Sequence, residues 1–469
     1  MTISKDDKSG LTIGIWFGFD FKISNGEGIS RFFSSLVTSL IDFDPTIHLE
    51  VWAYEINRDF LEDPNNIPSN PNRIEFHYLE IPIPNLEISI PKISWLMRIK
   101  AILRKIIPMK YWLAVREWAI CHPMFNPIPI TPNQPYCPMP YCPIPAFADS
   151  LITEANSQSQ ADIFLITYLY ASRNAVFLNK PKIVVLYDVF PMEFAEYFAL
   201  TNSSILIDND LFLEAVEQIP ENEVFFVCHS EHIRTNHVKR YINRLSDDNS
   251  AVVYLPMPKF ASDTNLDEKL FREKYAIEGD YIVYPTQFRP YKNFETVFHA
   301  FSELRKTHPN IQLVLTCRNK AEIPESFFDL LTASDINAIC FTEYIAEEDF
   351  ASLYKYAKCG LSASLAEGGL PFPILESAKA GIPVVAAKIP VVLERLEWLG
   401  INPQESGILF FDPCDYIDMA KKIQQALDNP SNGILPQKVF DAIMSRTWYD
   451  VAREYMTIFH LMCKHSKND

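Results

Sequence analysis

Short apolar runs rich in β-branched and aromatic residues alternate with stretches of 3.6-residue periodicity along nearly the whole chain. That rhythm predicts parallel strands joined by helical crossovers, an α/β architecture. In the first half the runs predict strands at Leu11–Trp16, His48–Tyr54, Asp162–Thr167, Lys182–Tyr187, Val224–Cys228 and Ala251–Leu255. In the second half they predict strands at Asp280–Tyr284, Ile311–Leu315, Ala338–Phe341, Pro383–Ala386 and Gly407–Phe411. A polar stretch at Ala261–Leu270 reads as a linker between the two series. Two domains are therefore expected, 1–260 and 261–445, with 446–469 forming a terminal helix. A chain of 469 residues is also too long for one ordinary core.

Residues 81–147 break the rhythm and carry many of the 34 prolines. Proline fixes φ and removes a backbone donor, so extended or turn-rich chain is expected here, not a sheet interior. Cys137 and Cys142 fall in this stretch, but a lone Cys-x4-Cys pair without a second Cys/His pair is poor evidence for metal. Between the prolines, Ser94–Ile107 places Trp95, Leu96, Ile99, Ile102, Leu103, Ile106 and Ile107 on one helical arc, with Arg98, Lys100, Arg104 and Lys105 on the other. Two readings stay open. The helix packs its apolar stripe on the domain, or it lies on an anionic membrane surface, which would make the protein peripheral at the inner membrane face.

Composition narrows the function classes. The balance of 42 basic against 59 acidic residues leaves a net charge of −17, so a nucleic-acid polyanion would be repelled by most of the surface. A nucleotide ligand would then need a local positive site. The start, Met1–Lys8, is polar, and no secretory leader is expected. The nine cysteines are scattered in apolar surroundings, as in a reduced, cytoplasmic protein.

The strongest chemical signal runs from Ser364 to Ala386. A strand ends near Ser362, a loop with Gly368 and Gly369 follows, and a helix begins around Pro371–Pro373. The glycines let the backbone come close to a ligand, and the helix start offers free N–H groups and a positive dipole end to an anion. Proline is tolerated in that first turn because those N–H groups have no intrahelical partner. Glu367 lies in the loop and Glu376 about one turn inside the helix.

This segment resembles the Glu-x7-Glu signature of the family 4 (group 1) retaining glycosyltransferases, with eight residues here between the two glutamates. The resemblance implies the GT-B fold: two Rossmann-like parallel-sheet domains facing across a cleft, with the terminal helix returning towards the first. It implies that Glu376 accepts hydrogen bonds from ribose hydroxyls and that Glu367 lies near the sugar ring, with Gly368, Gly369, Leu370 and Pro371 forming the loop around the donor. Tyr284–Asn293 resembles the family loop whose lysine grips the donor diphosphate. Lys292 takes that place, Gln287 stands where an arginine is usual, and Arg289 is available two residues on. Fixed cations there would stabilise the charge that develops on a leaving diphosphate.

The first half matches less closely. The loop around Asn25–Phe32 resembles the family's glycine-rich turn, which implies that Gly28 approaches the donor phosphates and Arg31 backs the site. Val184–Pro191 resembles a family strand end. There Asp188 is kept, and Tyr187 stands in place of a histidine that often contacts the sugar. Val227–Arg234 resembles a strand-to-helix turn in which Ser230 caps the helix, and His229 and His232 are read as structural.

The expected activity is transfer of a hexose from a nucleotide-diphosphate sugar to a hydroxyl of a sugar, polysaccharide or lipid-linked acceptor, with retention of configuration. No metal and no further cofactor are expected. The alternative is a nucleotide-sugar-binding scaffold with a decayed site. Hydrolysis is disfavoured: glycosidase carboxylates face each other across a bond, whereas these two would point along one wall. The P-loop and the dinucleotide fingerprint are both missing from the sequence.

Overall fold

The structure, a computed structural model, describes residues 10–19, 22–23, 28–67, 70, 72–80, 148–195, 205–257, 266–317, 323–343, 345–346 and 349–465. The proline-rich stretch with Cys137 and Cys142, the basic helix at 94–107, Asn25, and linker residues 258–265 lie outside them.

Two all-parallel sheets carry the fold. The first contains β1 (Thr12–Phe17), β2 (His48–Tyr54), β3 (Ile74–Leu79), β4 (Ile163–Ile166), β5 (Lys182–Leu186), β6 (Val224–Cys228) and β7 (Ser250–Val252), in the order β3-β2-β1-β4-β5-β6-β7. The second contains β8 (Tyr281–Tyr284), β9 (Gln312–Leu315), β10 (Ile339–Phe341), β11 (Cys359–Ser362), β12 (Val384–Ala387) and β13 (Leu409–Phe411), in the order β10-β9-β8-β11-β12-β13. The inner strands β4, β5 and β6 are buried along their whole length, because helices cover both faces of a parallel sheet. In each sheet the strand order reverses beside the first strand, at β1/β4 and β8/β11. Ligands of open α/β sheets bind outside such switch points, at the strands' carboxyl ends.

Three details depart from the sequence reading. Strand β3 was not anticipated: it alternates apolar and polar residues, pairs among the described residues only with β2, and leaves one face partly open. Strand β7 stops at Val252, short of the expected Leu255, although Val253 N still donates to Cys228 O at 2.9 Å. Glu268–Leu270, read as linker, form the first turn of helix α3 (Glu268–Tyr275), because the Asp267 carboxylate accepts from the N–H of Lys269 at 3.0 Å and of Leu270 at 3.4 Å. Helix α1 (Gly28–Phe43) precedes it, as does α2 (Ile205–Gln218). After it come α4 (Phe294–Arg305), α5 (Phe372–Ala380), α6 (Pro390–Trp398), α7 (Tyr416–Asp428) and α8 (Trp448–His465).

One apolar core runs under both sheets. A second lies between the other face of the first sheet, α1 and α8, where the Phe32 ring packs on Trp448 and Tyr455. The terminal helix thus folds back onto the first domain, and the Trp448 indole donates to Met257 O at 3.0 Å. Among the described residues no helix is long and apolar enough to cross a membrane.

Candidate active site

Two strand-to-helix turns of the second sheet build one wall of the cleft between the sheets. After β11 the chain loops through Glu367 and enters α5, with Pro371 before the helix and Pro373 in its first turn. After β8 it runs through Arg289 into a tight turn at Pro290–Lys292, and Asn293 takes a left-handed conformation (φ 59°) before α4. Asparagine tolerates that region better than most side chains. Its buried amide also donates to Ala363 O at 3.1 Å and Pro413 O at 2.7 Å. Leu365 N donates to Tyr291 O at 2.8 Å, and the Tyr284 hydroxyl to Lys292 O. The two loops are therefore fastened to each other, which sets Lys292 opposite Glu367.

Charges meet in pairs here. Lys292 Nζ binds Glu367 Oε1, which also accepts from the Ser364 hydroxyl. Glu376 is 3% exposed; its Oε1 accepts from Arg31 Nη1 at 3.0 Å, and its Oε2 accepts from the Tyr354 hydroxyl. Arg31 comes from α1 of the first domain, so this ion pair spans the cleft. Arg289 donates to Phe288 O at 2.8 Å and has no carboxylate partner among the described residues. Gln287 Nε2 donates to Thr316 O at 2.9 Å, so it braces the loop. The cleft holds about 600 Å³. Gly28, Arg31, Asp188, Arg289, Lys292, Glu367 and Glu376 all line it, as do Gly368, Gly369, Leu370 and Pro371. The structure thus brings together every residue singled out for the site from the sequence.

The first domain supplies the opposite wall. Asp188 Oδ1 accepts from Phe190 N at 2.9 Å. Burial lifts this carboxyl to about 6 and the charge of Glu367 pushes the same way, against the Phe190 N–H and Lys292. The Tyr187 ring packs on Phe32 and His229, and its hydroxyl is buried with no partner among the described residues. The glycines divide in their roles. A Cβ on Gly368 would lie 2.4 Å from Tyr187 O, so this glycine is demanded by the approach of the loop to the other domain, whereas a Cβ on Gly28 would meet nothing within 4 Å among the described residues. Ser230 caps as expected, accepting from Ile233 N at 3.2 Å, and also donates to Gly368 O at 3.0 Å. His229 differs from its structural reading on one side only: Nδ1 lies 2.9 Å from Val253 O, while Nε2 is buried without a partner among the described residues.

Sequence reasoning missed Tyr354 and Ser364, the hydroxyl partners of the two glutamates. Tyr354 lies in the last turn of a short helix with no motif around it, and Ser364 only opens one.

Known proteins resemble this chain in part of its sequence and in its fold. Residues 267–439 match the family model described as glycosyl transferases group 1. The match lies within the second domain and includes Arg289, Lys292, Glu367 and Glu376. The serotype-specific mannosyltransferase WbdA of Escherichia coli is 26% identical over 162 residues, which is 33% of this chain and 18% of that protein. The chain therefore spans well under a quarter of that relative. Among solved structures, sucrose-phosphate synthase from Thermosynechococcus elongatus superposes with a TM-score of 0.59 at 14% identity, over 96% of this chain and 99% of that one. Anabaena Alr3699/HepE, solved with UDP and glucose, gives 0.58 at 12% identity, over 96% and 99%. At such identities the likeness carries the fold, which is GT-B.

Proposed function

We propose that the protein transfers a hexose from a nucleoside-diphosphate sugar to a hydroxyl acceptor in polysaccharide or glycolipid synthesis. The observation that carries this reading is the meeting of Lys292, Glu367, Glu376 and Arg31 beside a helix N-terminus, in a cleft between two parallel sheets. The group 1 match over Lys292, Glu367 and Glu376, the mannosyltransferase relative and the neighbour holding UDP and glucose support it.

In this reading the diphosphate lies against the first turn of α5, Arg289 and Lys292, with Gly28 close by. Arg289, unmatched by a carboxylate, is the cation most available to it. Glu376 keeps acceptor capacity for ribose hydroxyls, since each carboxylate oxygen offers about two lone-pair sites and one partner occupies each among the described residues. Glu367 and Asp188 face the sugar and the acceptor. The reaction is proposed to proceed with retention. The bond from C1 to the diphosphate oxygen breaks while the acceptor oxygen bonds to C1 on the same face, and the acceptor proton passes to the departing phosphate oxygen. Such a step needs positioned charge more than a protein base, and we propose no metal for it.

The test is slow donor hydrolysis. With a donor chosen by thermal shift, the wild-type protein is expected to release nucleoside diphosphate, and Glu376→Ala or Lys292→Ala to reduce release at least a hundredfold (about 2.7 kcal/mol). Tight binding without turnover for every donor would instead support a binding scaffold. Inversion at C1 in the product would refute retention.

A further inference from the structure

The last paired residues of β5 and β6 are Leu186 and Cys228, so the residues that follow, Tyr187 and His229, stand side by side at the rim of the cleft with rings 5.2 Å apart. Phe32 closes on the imidazole from α1 at 5.3 Å. His229 is 3% exposed, lines the cleft, and lies under the loop that carries Glu367, since a Cβ on Gly369 would fall 3.6 Å from His229 Cβ. A backbone carbonyl only accepts, so the contact of Nδ1 with Val253 O at 2.9 Å puts the ring proton on Nδ1. Nε2 then carries a lone pair. It is buried and meets no donor among the described residues. A buried acceptor without a donor is costly, and the ring is too tightly packed to turn its nitrogen elsewhere.

Hydroxyl groups are what a sugar brings to such a position. We propose that His229 Nε2 accepts a hydrogen bond from a hydroxyl of the donor's sugar ring, which makes His229 a positioning residue that selects sugars bearing that hydroxyl. The proposal rests on the nucleotide-sugar reading above. No proton changes hands: burial lowers the imidazole to about 4, so it stays neutral and accepting across the physiological range. A site built to pair a hydroxyl discriminates against ligands that lack it, because the protein group is then left unpaired.

The test compares the wild-type protein with His229→Phe, which removes the acceptor, and His229→Gln, which offers another. Calorimetric Kd values are taken for the donor that protects best among UDP-, GDP-, ADP- and dTDP-sugars, for its monodeoxy analogues, and for the free nucleoside diphosphate. In the wild type, one deoxy analogue is expected to bind about tenfold more weakly than the intact donor. His229→Phe should lose a similar factor for the intact donor and nothing more for that analogue, with partial recovery in His229→Gln. The free diphosphate should bind all three proteins alike. If His229→Phe keeps the wild-type ranking of analogues, or loses affinity for the free diphosphate equally, the hydrogen bond to the sugar is refuted. Failure of every nucleotide, free or sugar-bearing, to bind the wild type would overturn the nucleotide-sugar reading itself.

Discussion

Asp188 is a carboxyl held where its ionised form is unwelcome. Its pKa rises from 3.8 to about 6, with burial the largest cause. The folded state therefore binds more protons than the unfolded chain between those two values, and stability must fall as pH rises through that window. Above pH 6 the ionised group costs on the order of 3 kcal/mol, from about two pH units at 1.36 kcal/mol each. A residue kept under such a cost is expected to be functional. Asp188→Asn should accordingly be more stable than wild type at pH 7.5 by up to that amount, with the difference vanishing below about pH 4, while turnover collapses. Urea midpoints at the two pH values check the first part. Equal or lower stability of the variant at pH 7.5 would show that the carboxylate is not strained.

The elements divide the site's glycines into those required by the protein and those left for a ligand. Gly368 lets the loop after β11 press its backbone against Tyr187 O, where a Cβ would sit at 2.4 Å. A Cβ on Gly28, the first residue of α1, would meet nothing within 4 Å among the described residues. Gly368→Ala is expected to lower both thermal stability and donor affinity. Gly28→Ala should hold or raise the melting temperature, since alanine favours helix by up to about 1 kcal/mol, and weaken donor binding alone. A melting curve beside a donor titration separates the two, and a Gly28→Ala protein with unaltered donor affinity would take that residue out of the site. Much of this was legible in the sequence. Strands covered on both faces announce themselves as unbroken apolar runs, and the prolines after β8 and the glycine–proline punctuation after β11 mark the two loops that line the cleft. The edge strand β3 did not, because its alternating pattern is half polar. Nor did the pairings across the cleft: Arg31 and Glu376 are 345 positions apart, and only the folded chain shows that the cation and carboxylate expected at one ligand hold each other.

At the scale of the whole molecule, the junction between the domains is held by a carboxylate that no motif marks. The segment after β6 begins at Glu231, and its first N–H groups, from Glu231 and His232, have no intrahelical partners to donate to. Both donate at 2.7 Å to Glu394, which belongs to α6 of the second domain, and the Tyr254 hydroxyl donates to the same carboxylate at 2.7 Å. Beside it, the buried Arg395 packs between the rings of Tyr254 and Trp398, and Arg446 Nε donates to Tyr254 O. The end of the first domain is thus gripped by the second immediately before the crossing. This cap binds only when the two domains are docked as seen here, so its loss should loosen the docking before it unfolds either sheet. Glu394→Ala is expected to cost about 1–2 kcal/mol, the usual range for losing a helix cap. It should also raise amide exchange across 229–235 selectively and weaken donor binding, because Glu376 and Arg31 can meet only while the cleft is closed. Hydrogen-exchange mass spectrometry of the variant decides the matter: unchanged protection across 229–235 would mean that the docking does not depend on this carboxylate.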